Sequence, residues 1–176
     1  MQTLERVQPP KSKYALYQEI CEQLQELLGN ETNFVANAAN TSALLFQSLP
    51  DVNWVGFYIA EDEELVLGPF QGKPACVRIP FGKGVCGAAA RKQETILVTD
   101  VNRFPGHIAC DTVSQSEIVV PLLNWGRVLG VLDIDSASLN RFDHEDEEGL
   151  ESVVSVFLSS QMTNDLPDLS EAAAQS

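Results

Sequence analysis

The chain has 176 residues, with 11 Lys+Arg against 25 Asp+Glu, a formal net charge of -14 and 44% hydrophobic residues. A length near about 150 residues is that of one domain, so a single compact core is expected, and no run approaches the ~18 apolar residues of a membrane-spanning helix, which excludes a transmembrane reading. So large an acidic surplus repels phosphate backbones and anionic lipid, so neither nucleic acid nor a membrane surface is an expected partner. The N-terminus has no basic start, apolar stretch and small-residue cleavage site, so a cytoplasmic protein is expected, with nuclear access open for a eukaryotic source. In that reducing compartment Cys21, Cys76, Cys86 and Cys110 are expected to be buried, catalytic or metal-bound rather than structural disulfides.

In chain order, residues 1–12, with Pro9-Pro10, read as a flexible arm. From Ser12, the positions Tyr17, Ile20, Cys21, Leu24, Leu27 and Leu28 recur at three and four, predicting a helix that Gly29 ends. Cys21 lies on its apolar stripe and reads as a small buried hydrophobe. A second helix is predicted over 31–48. From Trp54 the period becomes two, with Trp54, Gly56 and Tyr58 on one face and Val55, Phe57 and Ile59 on the other. Both faces are apolar, so this strand should be covered on each side. The polar run 61–64 turns it into a second strand, 65–68, as a hairpin. Residues 76–80 form a short strand candidate, 84–91 a short helix and 95–98 another strand. The segment 99–115 has no period and reads as a long functional loop. Two strands, 117–122 and 127–135, form a second hairpin through Asn124-Trp125-Gly126. A last helix opens at Asp143 with acidic residues in its first turns. Residues 164–176 read as a polar tail. This order predicts an α+β domain over 13–163 with a central, mostly antiparallel sheet flanked by helices.

Three features carry chemistry. Between Leu65 and Gln93 there is no acid, yet Lys73, Arg78, Lys83, Arg91 and Lys92 fall there with Cys76 and Cys86. Positive neighbours favour a thiolate, although such a stretch taken alone reads more readily as a solvated basic face. Cys110 sits in the long loop, where it has little packing reason to exist. Cys76, Cys86, His107 and Cys110 would make four zinc ligands, but no Cys-x-x-Cys knuckle is present and no metal is expected. Finally, Asp133 and Asp135 share one face of an apolar strand, and Glu117 of the preceding strand would join them. Carboxylates clustered in this way push at least one pKa upward, which makes a carboxyl group a proton donor near neutral pH.

The motifs Asn53-Trp54-Val55-Gly56-Phe57-Tyr58, Gly82-Lys83-Gly84-Val85-Cys86-Gly87, His107-Ile108-Ala109-Cys110-Asp111 and Leu132-Asp133-Ile134-Asp135-Ser136, with cysteines ten and then twenty-four residues apart, resemble the free methionine-R-sulfoxide reductases. These are single GAF-domain enzymes, and the resemblance runs over about residues 14–159. It implies a GAF-type fold and thiol-dependent reduction of free L-methionine-(R)-S-oxide to methionine. Cys110 matches the cysteine that attacks the sulfoxide sulfur and becomes a sulfenic acid. Cys76 and Cys86 match the pair that supplies the resolving thiol, with Cys76 the first choice. Glu117, Asp133 and Asp135 match the carboxylates that bind the substrate and help protonate its oxygen, and Trp54 and Tyr58 the aromatics around its methyl and thioether end. No cofactor is implied. An external dithiol such as thioredoxin, recharged indirectly by NADPH, restores the thiols, and a homodimer is left open. The alternatives are a non-catalytic GAF sensor, to which Asn140-Arg141-Phe142 and the acids after it lend a weak nucleotide-site likeness, and a cysteine redox switch.

Overall fold

The three long helices each begin at a short polar side chain that caps them. Ser12 Oγ accepts from Ala15 N at 3.2 Å and opens helix α1, Lys13–Leu28, which stops where Gly29 takes φ 51°. Helix α2, Phe34–Ser48, starts three residues later than the pattern predicts, because Asn33 is the cap and accepts from Ala36 N. The Glu31 carboxylate instead accepts from the N–H groups of Thr32 and Asn33, ahead of the helix. Asp143 Oδ1 accepts from Glu145 N and Asp146 N at the head of helix α4, His144–Gln161.

The structure, a computed structural model, describes residues 12–106 and 113–161. The expected arm up to residue 11, His107 and Cys110 in the long loop, and the expected tail lie outside them. Six strands are present among the described residues: β1 Trp54–Glu61, β2 Glu64–Gln71, β3 Arg78–Pro80, β4 Ile96–Val98, β5 Ser116–Asn124 and β6 Arg127–Ser136. A nine-residue helix, α3 Gly84–Lys92, falls between β3 and β4. The strands form one sheet in the order β3-β2-β1-β6-β5-β4, and every pairing is antiparallel. Both predicted hairpins form. The strand expected from residue 76 begins only at Arg78, and one turn of 3-10 helix, Val101–Arg103, interrupts the predicted loop. Among the described residues no helix is long and apolar enough to cross a membrane.

The alternation along β1 divides the molecule into two layers. Val55 and Phe57 face the larger core, which α1, α2 and α4 close with Ile20, Leu24, Leu45, Leu150 and Phe157. Cys21 packs half-buried at its edge as a free thiol. Trp54 and Tyr58 face the other side, where α3 lies over the sheet. Glycine makes that close approach feasible. A Cβ at Gly56 would meet Trp54 and Phe70, whose rings stack at 5.3 Å, and one at Gly87 would meet the Pro80 carbonyl under α3.

Asp146, 1% exposed, pins the larger layer. It accepts from Tyr17 Oη (2.8 Å), Lys13 Nζ (2.6 Å), Arg141 (3.2 Å) and Asp143 N (3.0 Å), tying α1 to the head of α4. Phe142 is in the core of that same layer. The segment with a weak nucleotide-site likeness therefore builds the helical face, opposite α3.

Candidate active site

Strand register places the acidic side chains. Glu117 of β5 pairs with Asp135 of β6, and two residues earlier in β6 Asp133 pairs with Val119. On the other flank, Trp54 and Gly56 of β1 oppose Asp135 and Asp133. Glu117, Asp133 and Asp135 thus share the α3 side of the sheet with Trp54 and Tyr58, and all five line one cavity. The first turn of α3 forms its opposite wall through Lys83, Gly84, Val85 and Cys86, with Pro74, Ala75 and Ser114 at the rim.

Two of the cavity's three acids are buried and the third, Asp135, is partly exposed. Glu117 and Asp133 are each 6% exposed and Cys86 4%. Cys86 Sγ donates to Glu117 Oε1 at 3.8 Å, and Asp133 Oδ1, wholly buried, has no partner among the described residues. Burial, followed by the Asp135 charge, holds the Glu117 carboxyl well above the usual carboxylate range. Burial and then the Glu117 charge do the same to Asp133. The Cys86 thiol is pushed up by burial and the charges of Asp133 and Glu117, and the Tyr58 phenol by burial and Asp133. Like charges this close in a low dielectric cannot all ionise, so the site retains protons and attracts cations.

That corrects one expectation. The basic stretch does not make Cys86 a thiolate, because its arginines turn outward: Arg78 pairs with Glu61 and Glu64, and Arg91 with Glu63 at 2.7 Å. Of the five bases only Lys83 lines the cavity. Cys76 is half-buried and disulfide-bonded, whereas Cys86 is a free thiol. The ligand atoms of Cys86, Glu117 and Asp133 lie within 4.8 Å of one another, a different set from the four ligands weighed for zinc.

Two contacts escaped the sequence pattern. Trp54 Nε1 donates to the Lys73 carbonyl and Tyr58 Oη to the Cys76 carbonyl, both at 3.0 Å. The aromatic pair, stacked at 5.9 Å, therefore anchors the 72–77 segment that carries Cys76 as well as lining the cavity. The start of α3 was also missed as a wall, although Gly82-Lys83-Gly84 ahead of a short helix signals it. First-turn N–H groups have no partner within a helix and suit an anionic group.

The family model for the GAF domain matches residues 15–159. The chain belongs to the GAF domain family. This GAF domain is 52% identical to the free methionine-R-sulfoxide reductase of Escherichia coli over 81% of the chain and 87% of the relative. It is 51% identical to the protein of the same name from Saccharomyces cerevisiae, over 77% and 82%. Among solved structures, the free methionine-R-sulfoxide reductase of Neisseria meningitidis in complex with its substrate superposes with a TM-score of 0.83 at 45% identity, over 92% of this GAF domain and 96% of that chain.

Proposed function

We propose that the protein reduces free L-methionine-(R)-S-oxide to L-methionine by thiol chemistry in this cavity. The observation that carries the reading is the convergence of Glu117, Asp133 and Asp135 with Trp54 and Tyr58 on one sheet face, beside a segment whose cysteine is held in a disulfide. The relatives named for this activity support it.

Sulfoxide oxygen leaves only when protonated, so a proton-retaining carboxyl group delivers a proton to that oxygen as the Cys110 thiolate attacks sulfur. The bond so formed between Cys110 and the substrate sulfur then breaks as the protonated oxygen passes from that sulfur to Cys110, so methionine departs as the reduced thioether and Cys110 is left as the sulfenic acid. The Cys76 thiol then displaces hydroxide, taken off as water, to give the Cys76–Cys110 disulfide. An external dithiol protein of thioredoxin type, drawing on NADPH, returns both thiols. No bound cofactor enters. The buried acids suit the ammonium of a free amino acid, a group that a peptide-bound residue lacks. The head of α3 with Lys83 suits its carboxylate, and the apolar methyl lies against Trp54 and Tyr58. The catalytic unit is the domain over 13–163, acting in the cytoplasm.

The test is an assay comparing the R and S epimers of free and peptide-bound methionine sulfoxide. Methionine released from the free R epimer alone supports the proposal. Oxidation of the cysteines by peroxide with no methionine formed would establish a redox switch instead.

A further inference from the structure

Cys86 occupies a place that a resolving thiol does not need. It sits in the first turn of α3, 4% exposed, between Glu117 on β5 and Asp133 on β6. The helix beneath it cannot retreat or advance freely, because Gly87 rests against the Pro80 carbonyl. A thiol has one hydrogen to donate, and an ionised carboxylate only accepts.

We infer that Cys86 keeps its proton through the reaction and is a positioning residue: its S–H donates to Glu117 Oε1, holds Glu117 as the anion, and so places the proton of the carboxyl pair on Asp133. The inference rests on the reductase reading and deepens it. The thiol is in hydrogen-bonding contact with both carboxyl groups and has one hydrogen to give, and the S···O separation of 3.8 Å to Glu117 Oε1 directs it to Glu117. Asp133 lines the cavity, and its buried Oδ1 has no hydrogen-bond partner among the described residues, so it is an oxygen free to hold the proton. Two buried carboxyl groups in contact retain one proton between them, and a donor aimed at one member stabilises that member's charge. The other titratable groups facing the thiol are Tyr58 from β1, Asp135 from β6 and Lys83 at the head of α3. Burial and the two carboxylates also raise the Cys86 thiol, which disfavours the thiolate that disulfide formation would require.

The experiment compares wild type, Cys86→Ser and Cys86→Ala, fully reduced, in single-turnover reduction of free methionine-(R)-S-oxide as a function of pH, and in multiple turnover with a dithiol reductant. Alanine removes the donor and lets the proton pass from Asp133 to Glu117, and because the doubly ionised pair then loses more than the singly protonated one, the last proton leaves at higher pH while Asp133 no longer carries it. The basic limb should move to higher pH by about half a unit to one unit, and the rate at neutral pH should fall about tenfold. Serine restores a donor and should bring back both the limb and most of the rate. In infrared spectra of the wild type, the carboxylic acid carbonyl band should respond to heavy-carbon labelling of aspartate and not of glutamate, and vanish in Asp133→Asn. Serine behaving as alanine, or alanine leaving the limb in place, overturns the positioning role. A normal first turnover with blocked recycling in both variants would make Cys86 the resolving thiol. A band that follows the glutamate label overturns the proton's placement. Failure of the wild type to reduce the sulfoxide would strike the reductase reading alone, because the infrared assignment needs no turnover.

Discussion

Substitution of Cys110 by serine should abolish methionine formation, since the hydroxyl is too weak a nucleophile toward sulfur without its thiolate. Cys76→Ser should leave the first turnover largely intact and stall recycling, with a persistent sulfenic acid detectable by trapping with a dimedone-type probe. Appreciable turnover in the first variant, or steady recycling in the second, would reverse these roles. Asp133→Asn should lower turnover by about two to three orders of magnitude, the range of a lost general acid. The same substitution should stabilise the fold. The folded carboxyl is held above its unfolded value by burial and Glu117, so its contribution is complete below the unfolded pKa, about 3.9, and is lost as pH rises toward the folded value. At neutral pH the asparagine variant should therefore gain about 1–2 kcal/mol in urea unfolding, a difference that closes near pH 4. A variant less stable than wild type at neutral pH would show that Asp133 is not strained there.

The short helix α3 is the element on which the site depends, and one glycine sets its height above the sheet. At Gly87→Ala the new methyl must displace the Pro80 carbonyl or lift the helix, which should cost about 2–3 kcal/mol and draw Cys86 away from Glu117. Urea midpoints and the pH limb of single turnover should both move; a change in neither would mean that the contact relaxes freely. The elements were largely readable from the residues, since the two-residue period of β1 assigns Trp54 and Tyr58 to one core and Val55 and Phe57 to the other. The start of α2 was not, because Glu31 and Asn33 both offer capping oxygens and only the fold decides between them. Nor was the protonation of Cys86. Its basic neighbours in sequence point to solvent, and the acids that govern it come from strands thirty and more residues later. The three carboxylates and two aromatics were legible because a period-two strand fixes their face, while the hydrogen bonds of Trp54 and Tyr58 to the 72–77 segment are tertiary contacts with no local signature.

Across the whole molecule, the sheet separates stability from chemistry. The face under α1, α2 and α4 holds the larger core and the Asp146 network, and the face under α3 holds buried acids whose presence opposes folding at neutral pH. Asp146→Ala tests that separation. Arg141, whose side chain is 9% exposed, would lose its ion pair, and Tyr17 and Lys13 would lose their acceptor together, which should cost about 3–5 kcal/mol. Asp143 cannot make good the whole loss, because its carboxyl is more than half exposed and already bonded to Lys13. The melting temperature should therefore fall steeply, while single-turnover reduction, measured well below the transition, should stay within about threefold of wild type, because no member of the network lines the cavity. A rate that fell in step with stability would show the two faces to be coupled through the sheet, and β1, which contributes Phe57 to one core and Tyr58 to the other, would be the strand carrying that coupling.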